Sequence, residues 1–419
     1  MSHSSSLSKA LLMWFCASSY YLYVAILRVS PSVMMDDIMG SFSLDATGYA
    51  ALVAVGPYFY SVLQLPAGVM IDKLLPRKSL LIGLGLCTLG TLLFSSSVNL
   101  EMAYLSRILM GVGSAFAFLC VNKINTSWFD VKRQATMFAL AITTGMIGAI
   151  NGGAPLLFSN QAIGWKNTML ILAALGAVFW LFSFIFLKDA PKTSQEEANA
   201  KSLKEILKDT LQLIKSIQPW LIGISALGIY LSITVIADLW GTNFLAHSLK
   251  TQKEDAALLT SLIYVGLSVG GLVFAWLFDR LNAAKILIFI GSFGILVTCG
   301  SLFYIDGLSM LTCQILLFSI GFLSGAEMIC FIAAARIVPP HFGATMAGFI
   351  NAVVMLGGAL SQHAVGIFLD YSWQGGLTAE GLRYYGLYEY RAAMVLVMGL
   401  LAFSVVAGLL VKMPTKKEN

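Results

Sequence analysis

Long apolar runs recur along the chain, and short polar segments separate them. A helix of about 20 apolar residues is long enough to cross roughly 30 Å of hydrocarbon. Charge clusters, glycines, prolines and Asn or Asp residues mark the breaks between the runs. The pattern predicts twelve membrane-spanning helices, over residues 10–35, 46–71, 79–98, 102–129, 134–157, 166–187, 219–247, 256–278, 285–305, 308–336, 343–369 and 391–412.

The only long polar segment lies between the sixth and seventh runs and reads "KDAPKTSQEEANAKSLKEILKDTLQLIKSIQP". From residue 202 to residue 217, large apolar side chains recur at helical spacing: Leu203, Ile206, Leu207, Leu211 and Ile214. This spacing predicts an amphipathic helix on the membrane surface. We therefore expect an N-terminal six-helix domain (1–187), a cytoplasmic linker (188–218) and a C-terminal six-helix domain (219–419).

Composition agrees with an integral membrane protein. Of 419 residues, 58% are hydrophobic and 11% are charged, whereas about 25% are charged in a soluble domain. The six cysteines fall inside apolar runs, without a CxxC pair or a histidine at metal-ligand spacing, and we expect them to be small core residues. The sequence contains neither the GxxxxGK[ST] signature of ATP-driven pumps nor a recognisable catalytic set. We predict no cofactor, no metal site, no nucleic-acid partner and no enzymatic activity.

The distribution of lysine and arginine predicts the orientation in the membrane. With both termini in the cytoplasm, eighteen Lys and Arg residues fall in inner loops and five in outer loops or span ends. Positive charge stays on the cytoplasmic side of a membrane. We therefore expect a multi-pass protein of a bacterial inner membrane or a plasma membrane, with cytoplasmic termini.

The two halves of the chain also resemble each other. "GVMIDKLLPRK" (68–78) has a counterpart in "AWLFDRLNAAK" (275–285), 207 residues later. "QATMFAL" (134–140) has one in "GATMAGF" (343–349), 209 residues later. Two matches at nearly the same offset indicate two related bundles, as in transporters built from parallel repeats.

The first of these segments resembles the signature loop of the major facilitator superfamily, in which a glycine, an aspartate and several basic residues recur after the second helix. The chain has Pro76 where that loop usually has glycine. The resemblance covers the whole chain and implies an all-α fold of two pseudo-symmetric six-helix bundles, a monomer, and secondary transport by alternating access. It also implies a role in conformational gating for the polar loop residues Asp72, Lys73, Arg77 and Lys78, and for their counterparts Asp279, Arg280 and Lys285.

Two further segments resemble this family. "RILMGVGSA" (107–115) is similar to its fourth-helix motif, and "GMIGAINGGAP" (145–155) partly matches a fifth-helix motif best known from antiporters. These resemblances keep a proton-coupled multidrug exporter open as the alternative function. Close helix packing is the simpler explanation of the fifth-helix glycines.

Charges inside the predicted helices carry most of the functional information, because each is costly in a membrane and normally faces a partner or a cavity. Arg28 lies in the first helix and Asp238 in the seventh, and position 28 corresponds through the repeat to position 237. Two interpretations of Arg28 stay open. It forms an ion pair with Asp238, or its guanidinium binds a substrate carboxylate or phosphate bidentately.

Four other intramembrane residues could bind substrate or move protons. Lys123 is a second anion contact unless it snorkels to the inner surface. Glu327 lies too deep in the tenth helix to snorkel, and deep carboxyl groups are typical of proton relays. Arg107 and His363 have either a structural role or a part in proton coupling, which Asp238 could share.

Aromatic and amide side chains complete the predicted substrate lining, and we select Tyr23, Tyr58, Gln64 and Asn351. Arg28 and Lys123 favour a carboxylate-bearing substrate, while Asp238 and Glu327 favour an ammonium group or a proton. The sequence thus predicts a transporter of an organic anion or an amino-acid-like zwitterion, coupled to protons.

Overall fold

The computed structural model describes residues 3–189, 203–339, 342–378 and 381–412. Within these ranges twelve helical segments are long and apolar enough to cross a membrane, which confirms the predicted number. The helices are α1 (His3–Val29), α2 (Pro31–Phe42), α3 (Ala46–Ser95), α4 (Leu100–Ser114), α5 (Ala117–Trp128), α6 (Val131–Asn151), α7 (Ala154–Ile163), α8 (Trp165–Phe186), α9 (Leu203–Leu213), α10 (Ile217–Ser232), a π-helix (Ile233–Trp240), α11 (Gly241–Leu249), α12 (Lys253–Leu281), α13 (Ala284–Tyr304), α14 (Met310–Ser324), α15 (Glu327–Ile337), α16 (Gly343–Tyr371) and α17 (Leu387–Leu410).

The chain forms two compact units. The first contains Met1–Ser30 and Val55–Glu205, and the second contains Pro31–Ala54 and Ile206–Asn419. The end of the first predicted helix and the start of the second, Pro31–Ala54, are thus grouped with the C-terminal half. The domain boundaries expected from the sequence, at residues 187 and 219, stay a prediction.

The first predicted span ends earlier than the sequence pattern indicated. The helix α1 stops at Val29, and Pro31 begins α2. Proline has no backbone N–H and its ring clashes with the preceding turn, so it interrupts a helix but fits well at the first position of the next one. The apolar run continues to Met35 without a polar residue other than serine, and for that reason hydropathy alone missed the break.

Within the second unit, α12 and α14 pack with their backbones in close contact. The helix α12 presents Gly266 and Gly270, and α14 presents Gly321, with Gly325 directly after its last residue. A Cβ atom on Gly321 would lie 1.9 Å from the carbonyl oxygen of Ile263, and one on Gly270 would lie 1.9 Å from that of Phe322. Small residues allow membrane helices to approach in this way. The crossing is therefore fixed by backbone atoms that have little freedom to move.

Helix breaks recur at equivalent places in the two halves. The break between α4 and α5 falls at residues 115–116, and the break between α14 and α15 at residues 325–326, 210 residues later. A further pair lies within the two signature-like segments, where Leu75 and Asn282 have positive φ angles and are 207 residues apart. The repeat seen in the sequence therefore extends to irregular backbone.

Leu75 has an unusual conformation for a leucine, with φ 69° and ψ 152°. Gly164 adopts nearly the same angles, φ 80° and ψ 160°, where it joins α7 to α8. This region of the φ/ψ map is essentially restricted to glycine, and another residue pays about 1–3 kcal/mol to occupy it. Leu75 precedes Pro76, and a residue before proline is in any case disfavoured in the α region. The turn at Pro76, where the resemblance led us to expect glycine, is thus made by a strained leucine.

Candidate functional site

The seventh predicted span contains a π-helix, and all eight of its residues, Ile233–Trp240, are buried. A π-helix is rare and usually occurs as a single turn at a functional site. Gln362 on α16 contacts both ends of it. Its side-chain amide donates to the carbonyl of Thr234 at 2.6 Å, and its backbone carbonyl accepts from the indole N–H of Trp240 at 3.1 Å. The wider turn is thereby held by a neighbouring helix.

Asp238 lies in this π-helix and has a side chain only 2% exposed. It accepts a hydrogen bond of 2.6 Å from the hydroxyl of Tyr264 on α12, which is also fully buried. A buried carboxyl group of this kind needs hydrogen-bond donors, since desolvation is otherwise costly. The sequence singled out Asp238 but not Tyr264, which no motif marks.

The segment Pro31–Ala54 packs against the same π-helix within the second unit. Tyr49 donates to the carbonyl of Pro31 at 2.6 Å, and its ring meets Trp240 edge to face at 6.1 Å between centroids. Asn243, one turn beyond the π-helix, has its amide nitrogen 2.9 Å from the sulfur of Met35. The π-helix that contains Asp238 is therefore packed against aromatic and amide side chains of its own unit.

In the first unit, Arg28 lies in the last turn of α1, two residues before the break at Ser30. Its side chain is half-buried. A cation in the last turn of a helix interacts favourably with the helix dipole. Through the repeat offset of 209 residues, this break corresponds to residue 239, inside the π-helix. Arg28 and Asp238 thus each lie at the irregular point of the first helix of a half, and a contact between them stays a prediction.

The predicted coupling residues occupy different helices. Arg107 on α4 is 6% exposed, with a guanidinium nitrogen 3.8 Å from the sulfur of Met110. Lys123 on α5 and His363 on α16 are half-buried, as is Glu327, the first residue of α15. Glu327 thus lies at the positive end of a helix dipole, directly after a helix break. Their roles in binding or coupling stay predictions.

The four predicted lining residues differ in burial and in hydrogen bonding. Tyr23 is fully buried and donates to Thr91 at 3.0 Å inside the first unit. Gln64 is buried, and its amide nitrogen has no hydrogen-bond partner among the residues that the structure describes. Such a donor is costly unless something accepts from it. Tyr58 and Asn351 are half-buried. A contact between Gln64 and substrate stays a prediction.

Three of the predicted gating residues, Asp279, Arg280 and Lys285, lie near helix ends, and a gating role for the whole set stays a prediction. In the first unit the Arg77 backbone N–H donates to Asp189 at 2.8 Å, and its guanidinium donates to the carbonyl of Phe184 at 3.0 Å. Lys78, Asp279, Arg280 and Lys285 are exposed. Arg280 stacks on Trp276, 4.4 Å from the ring centroid. The side chains of Asp72 and Lys73 lie outside what the structure describes.

A cluster of polar side chains in the second unit was missed entirely by sequence analysis. Asp370, near the end of α16, accepts from the backbone N–H of Thr47 at 2.7 Å and from the Arg383 guanidinium at 2.9 Å. It also accepts from the hydroxyls of Thr47 and Tyr385, while the Tyr385 oxygen accepts from the N–H of Ala46. We call these five residues the Asp370 cluster. Arg383 comes from the loop before α17, so only folding brings the members together.

Tyr385 lies outside the candidate spans. Burial raises the pKa of its hydroxyl, and the neighbouring Asp370 carboxylate raises it further. The hydroxyl therefore remains a donor at physiological pH. Among the described residues, no three or more His, Cys, Asp or Glu side chains are grouped so that they could hold a metal ion.

Three comparisons place the chain among known proteins. It is 22% identical to the uncharacterized transporter YybO of Bacillus subtilis, over 91% of this chain and 90% of that one. It is 25% identical to a probable L-galactonate transporter of Escherichia coli, over 68% of this chain and 65% of that one. The crystal structure of the nucleoside transporter NupG superposes with a TM-score of 0.72 at 16% identity, over 96% of this chain and 98% of that chain.

The last of these similarities is a likeness of fold. The sequence profile of the Major Facilitator Superfamily matches residues 13–362, most of the chain. With twelve helices able to cross a membrane, the chain is an integral multi-pass membrane protein. It belongs to the Major Facilitator Superfamily.

Proposed function

We propose that this member of the superfamily is a secondary active transporter of a small carboxylate-bearing metabolite, an organic anion or an amino-acid-like zwitterion, coupled to protons. The observation that carries the proposal is the position of Arg28 directly before the α1 break. A half-buried guanidinium beside a helix break offers a fork of donors that matches a carboxylate bidentately. The name of the L-galactonate transporter among the relatives also describes a carboxylate substrate.

The buried pair of Asp238 and Tyr264 supports the proton-coupled part of the proposal. An intramembrane carboxyl group is costly and is typical of ion and proton pathways. Tyr264 donates one hydrogen bond to it and fixes its orientation. Glu327, the first residue of α15, is the second candidate proton carrier. We propose inner-membrane or plasma-membrane localisation with both termini in the cytoplasm, from the charge distribution of the sequence.

The packing of the fifth-helix glycines supports the simpler explanation of that motif, while the exporter stays the alternative function. A Cβ atom on Gly145 would lie 2.3 Å from the ring of Tyr21, and one on Gly148 would lie 2.4 Å from the carbonyl of Leu22. A side chain at Gly148 would have to displace backbone, and one at Gly145 would have to displace the Tyr21 ring. The glycines of this motif are therefore explained by the packing of α6 on α1, as expected.

A thermal-shift screen tests the substrate class. The purified protein is melted with small carboxylates, amino acids, sugar phosphates, nucleosides and cationic drugs, and a ligand at about 100 times its Kd adds about 2.7 kcal/mol to stability. We expect carboxylates to raise the Tm of the native protein. Arg28→Ala should lose the two charge-assisted hydrogen bonds that the guanidinium donates to a bound carboxylate. That loss is about 3 kcal/mol, or more than a hundredfold in Kd.

Arg391→Ala is the matched control, because Arg391 lies in the second unit, where it pairs with the exposed Asp306 at 2.7 Å and donates to the Phe303 carbonyl. We expect the control to bind carboxylates as the native protein does. Stabilisation by cationic drugs or nucleosides alone, equal in the native protein and in Arg28→Ala, would contradict the proposed substrate class.

Transport in proteoliposomes tests proton coupling. We expect Asp238→Asn to abolish proton-driven accumulation and to retain counterflow exchange, because exchange needs no net proton movement. Tyr264→Phe removes one donor and keeps the carboxyl group, so we expect it to retain accumulation with an altered pH profile. Glu327→Gln, measured in the same way, distinguishes the two candidate carriers. If both neutral variants accumulate substrate normally, neither residue carries the proton.

A further inference from the structure

We propose that the helix α9 binds anionic phospholipid headgroups through a basic and apolar strip. Lys204, Leu207, Lys208 and Leu211 recur at intervals of three and four residues, and such residues share one face of a helix. All four side chains are exposed, and Leu207 and Leu211 are 47% and 57% exposed. We call this face the lysine–leucine strip.

The opposite edge of the apolar face is already covered. Leu213 is buried, and it lies about 120° around the helix axis from Leu207, at 100° per residue. The amphipathic pattern is therefore divided, with one part packed in the protein and the other exposed beside lysines. Glu205 and Asp209 lie outside the strip: at 100° per residue they are about 60° and 100° around the helix axis from Lys208, on the side away from the leucines.

The connection to the next helix keeps α9 at the membrane edge. Leu213 is four residues before Ile217, the first residue of a candidate span. Four residues reach at most about 14 Å. The indole N–H of Trp220 donates to the carbonyl of Ile214 at 3.0 Å, which fixes this turn against the start of α10. The lysine–leucine strip thus lies at headgroup depth or close to it.

Two more lysines are placed at the same edge. Lys215 is exposed in the turn after α9. Lys412, two residues past the end of α17, donates its backbone N–H to the side chain of Gln218 at 2.8 Å. Lysines at the membrane surface attract anionic lipids, while adjacent leucines insert among the acyl chains. Charge complementarity therefore favours an anionic phospholipid over a zwitterionic lipid or a protein surface with few acidic residues.

Hydrogen exchange of the full chain in lipid nanodiscs tests the proposal. The backbone amides of Leu203–Leu213 are followed in phosphatidylcholine alone and in mixtures with phosphatidylglycerol. We expect slower exchange with phosphatidylglycerol. Each lysine near an anionic surface contributes about fivefold, so the triple variant Lys204→Gln, Lys208→Gln, Lys215→Gln should lose up to about a hundredfold of the protection. High salt should weaken it in the native protein.

Two variants make the result specific. Glu205→Gln with Asp209→Asn changes charge on the same helix and should keep or increase the protection. Leu207→Ser with Leu211→Ser keeps the lysines and should lose protection, because the apolar anchor is gone. Unchanged exchange in Ala284–Tyr304 shows that each variant is folded. Equal protection in both lipids, no protection in either, or native behaviour of the triple lysine variant would overturn the proposal.

Discussion

Gly321→Ala is expected to lower the free energy of unfolding by about 3 kcal/mol or more, the upper part of the range for overpacked sites. The new Cβ atom would lie 1.9 Å from the carbonyl oxygen of Ile263. A flexible side chain could move away from such a contact, but a helix backbone cannot move without displacing its own hydrogen bonds. The α12–α14 crossing must therefore open, and the loss should appear as a large fall in Tm or in folded yield.

The matched control is Gly399→Ala in α17. No heavy atom lies within 4 Å of a Cβ atom built at this position. Alanine has a higher helix propensity than glycine, by about 1 kcal/mol in water. We expect the control to melt at or above the native temperature in the same detergent. A Gly321→Ala protein that melts like the control would show that the crossing is looser than the structure indicates.

Asp370→Ala is expected to have the second largest effect, a loss of about 2–3 kcal/mol in the free energy of unfolding. The Asp370 side chain is 12% exposed and that of Arg383 is 37% exposed. Removal of the carboxylate leaves the Thr47 N–H at the start of α3 and the Tyr385 hydroxyl without their acceptor, and unsatisfied donors are costly. Since Arg383 is partly solvated, we count only the hydrogen bonds and not a full buried ion pair.

Asp306→Ala provides the comparison, because Asp306 also pairs with an arginine, Arg391, at 2.7 Å, but its side chain is 82% exposed. Exposed pairs of this kind contribute about 0–1 kcal/mol. Thermal melting of both variants in one detergent gives the difference. Equal losses would contradict the importance that the structure gives to the Asp370 cluster.

The Asp370 cluster also bears on transport. It joins the start of α3, in the predicted N-terminal domain, to α16 and the loop that follows, in the predicted C-terminal domain. We propose that these bonds break in one access state of the transport cycle. Asp370→Ala should then shift the protein toward that state, and a cysteine placed at Thr47 should react faster with a membrane-impermeable maleimide. The native cysteines are buried and do not complicate this measurement.

The fold followed from the sequence to a large extent because hydrophobic length is a strong constraint in membranes. Twelve spans, the amphipathic α9 and the internal repeat were all visible. The break before Pro31 was not, since it lies within an apolar run, and a π-helix has no hydropathy signature at all. Asp238 could be selected as an intramembrane charge, but its partner Tyr264 looks like many other tyrosines in the sequence.

The Asp370 cluster shows the other limit of sequence analysis. Thr47, Asp370 and Arg383 are ordinary polar residues near predicted span ends, where charges are common and carry little information. Their association depends on contacts more than 320 residues apart in sequence, as between Thr47 and Asp370. Periodicity and composition report local structure, and only the folded chain reports which distant polar groups meet.

The strained turn at Leu75 has a consequence for how natural selection has treated this position. In most places glycine would weaken the protein, but at Leu75 it would relieve backbone strain, as Gly164 shows at nearly the same angles. Residues with strained backbone cluster at active sites and switch regions, where the strain is part of the mechanism. A library of variants at position 75, sorted once for thermal tolerance and once for uptake, should therefore enrich glycine in the first pool and leucine in the second.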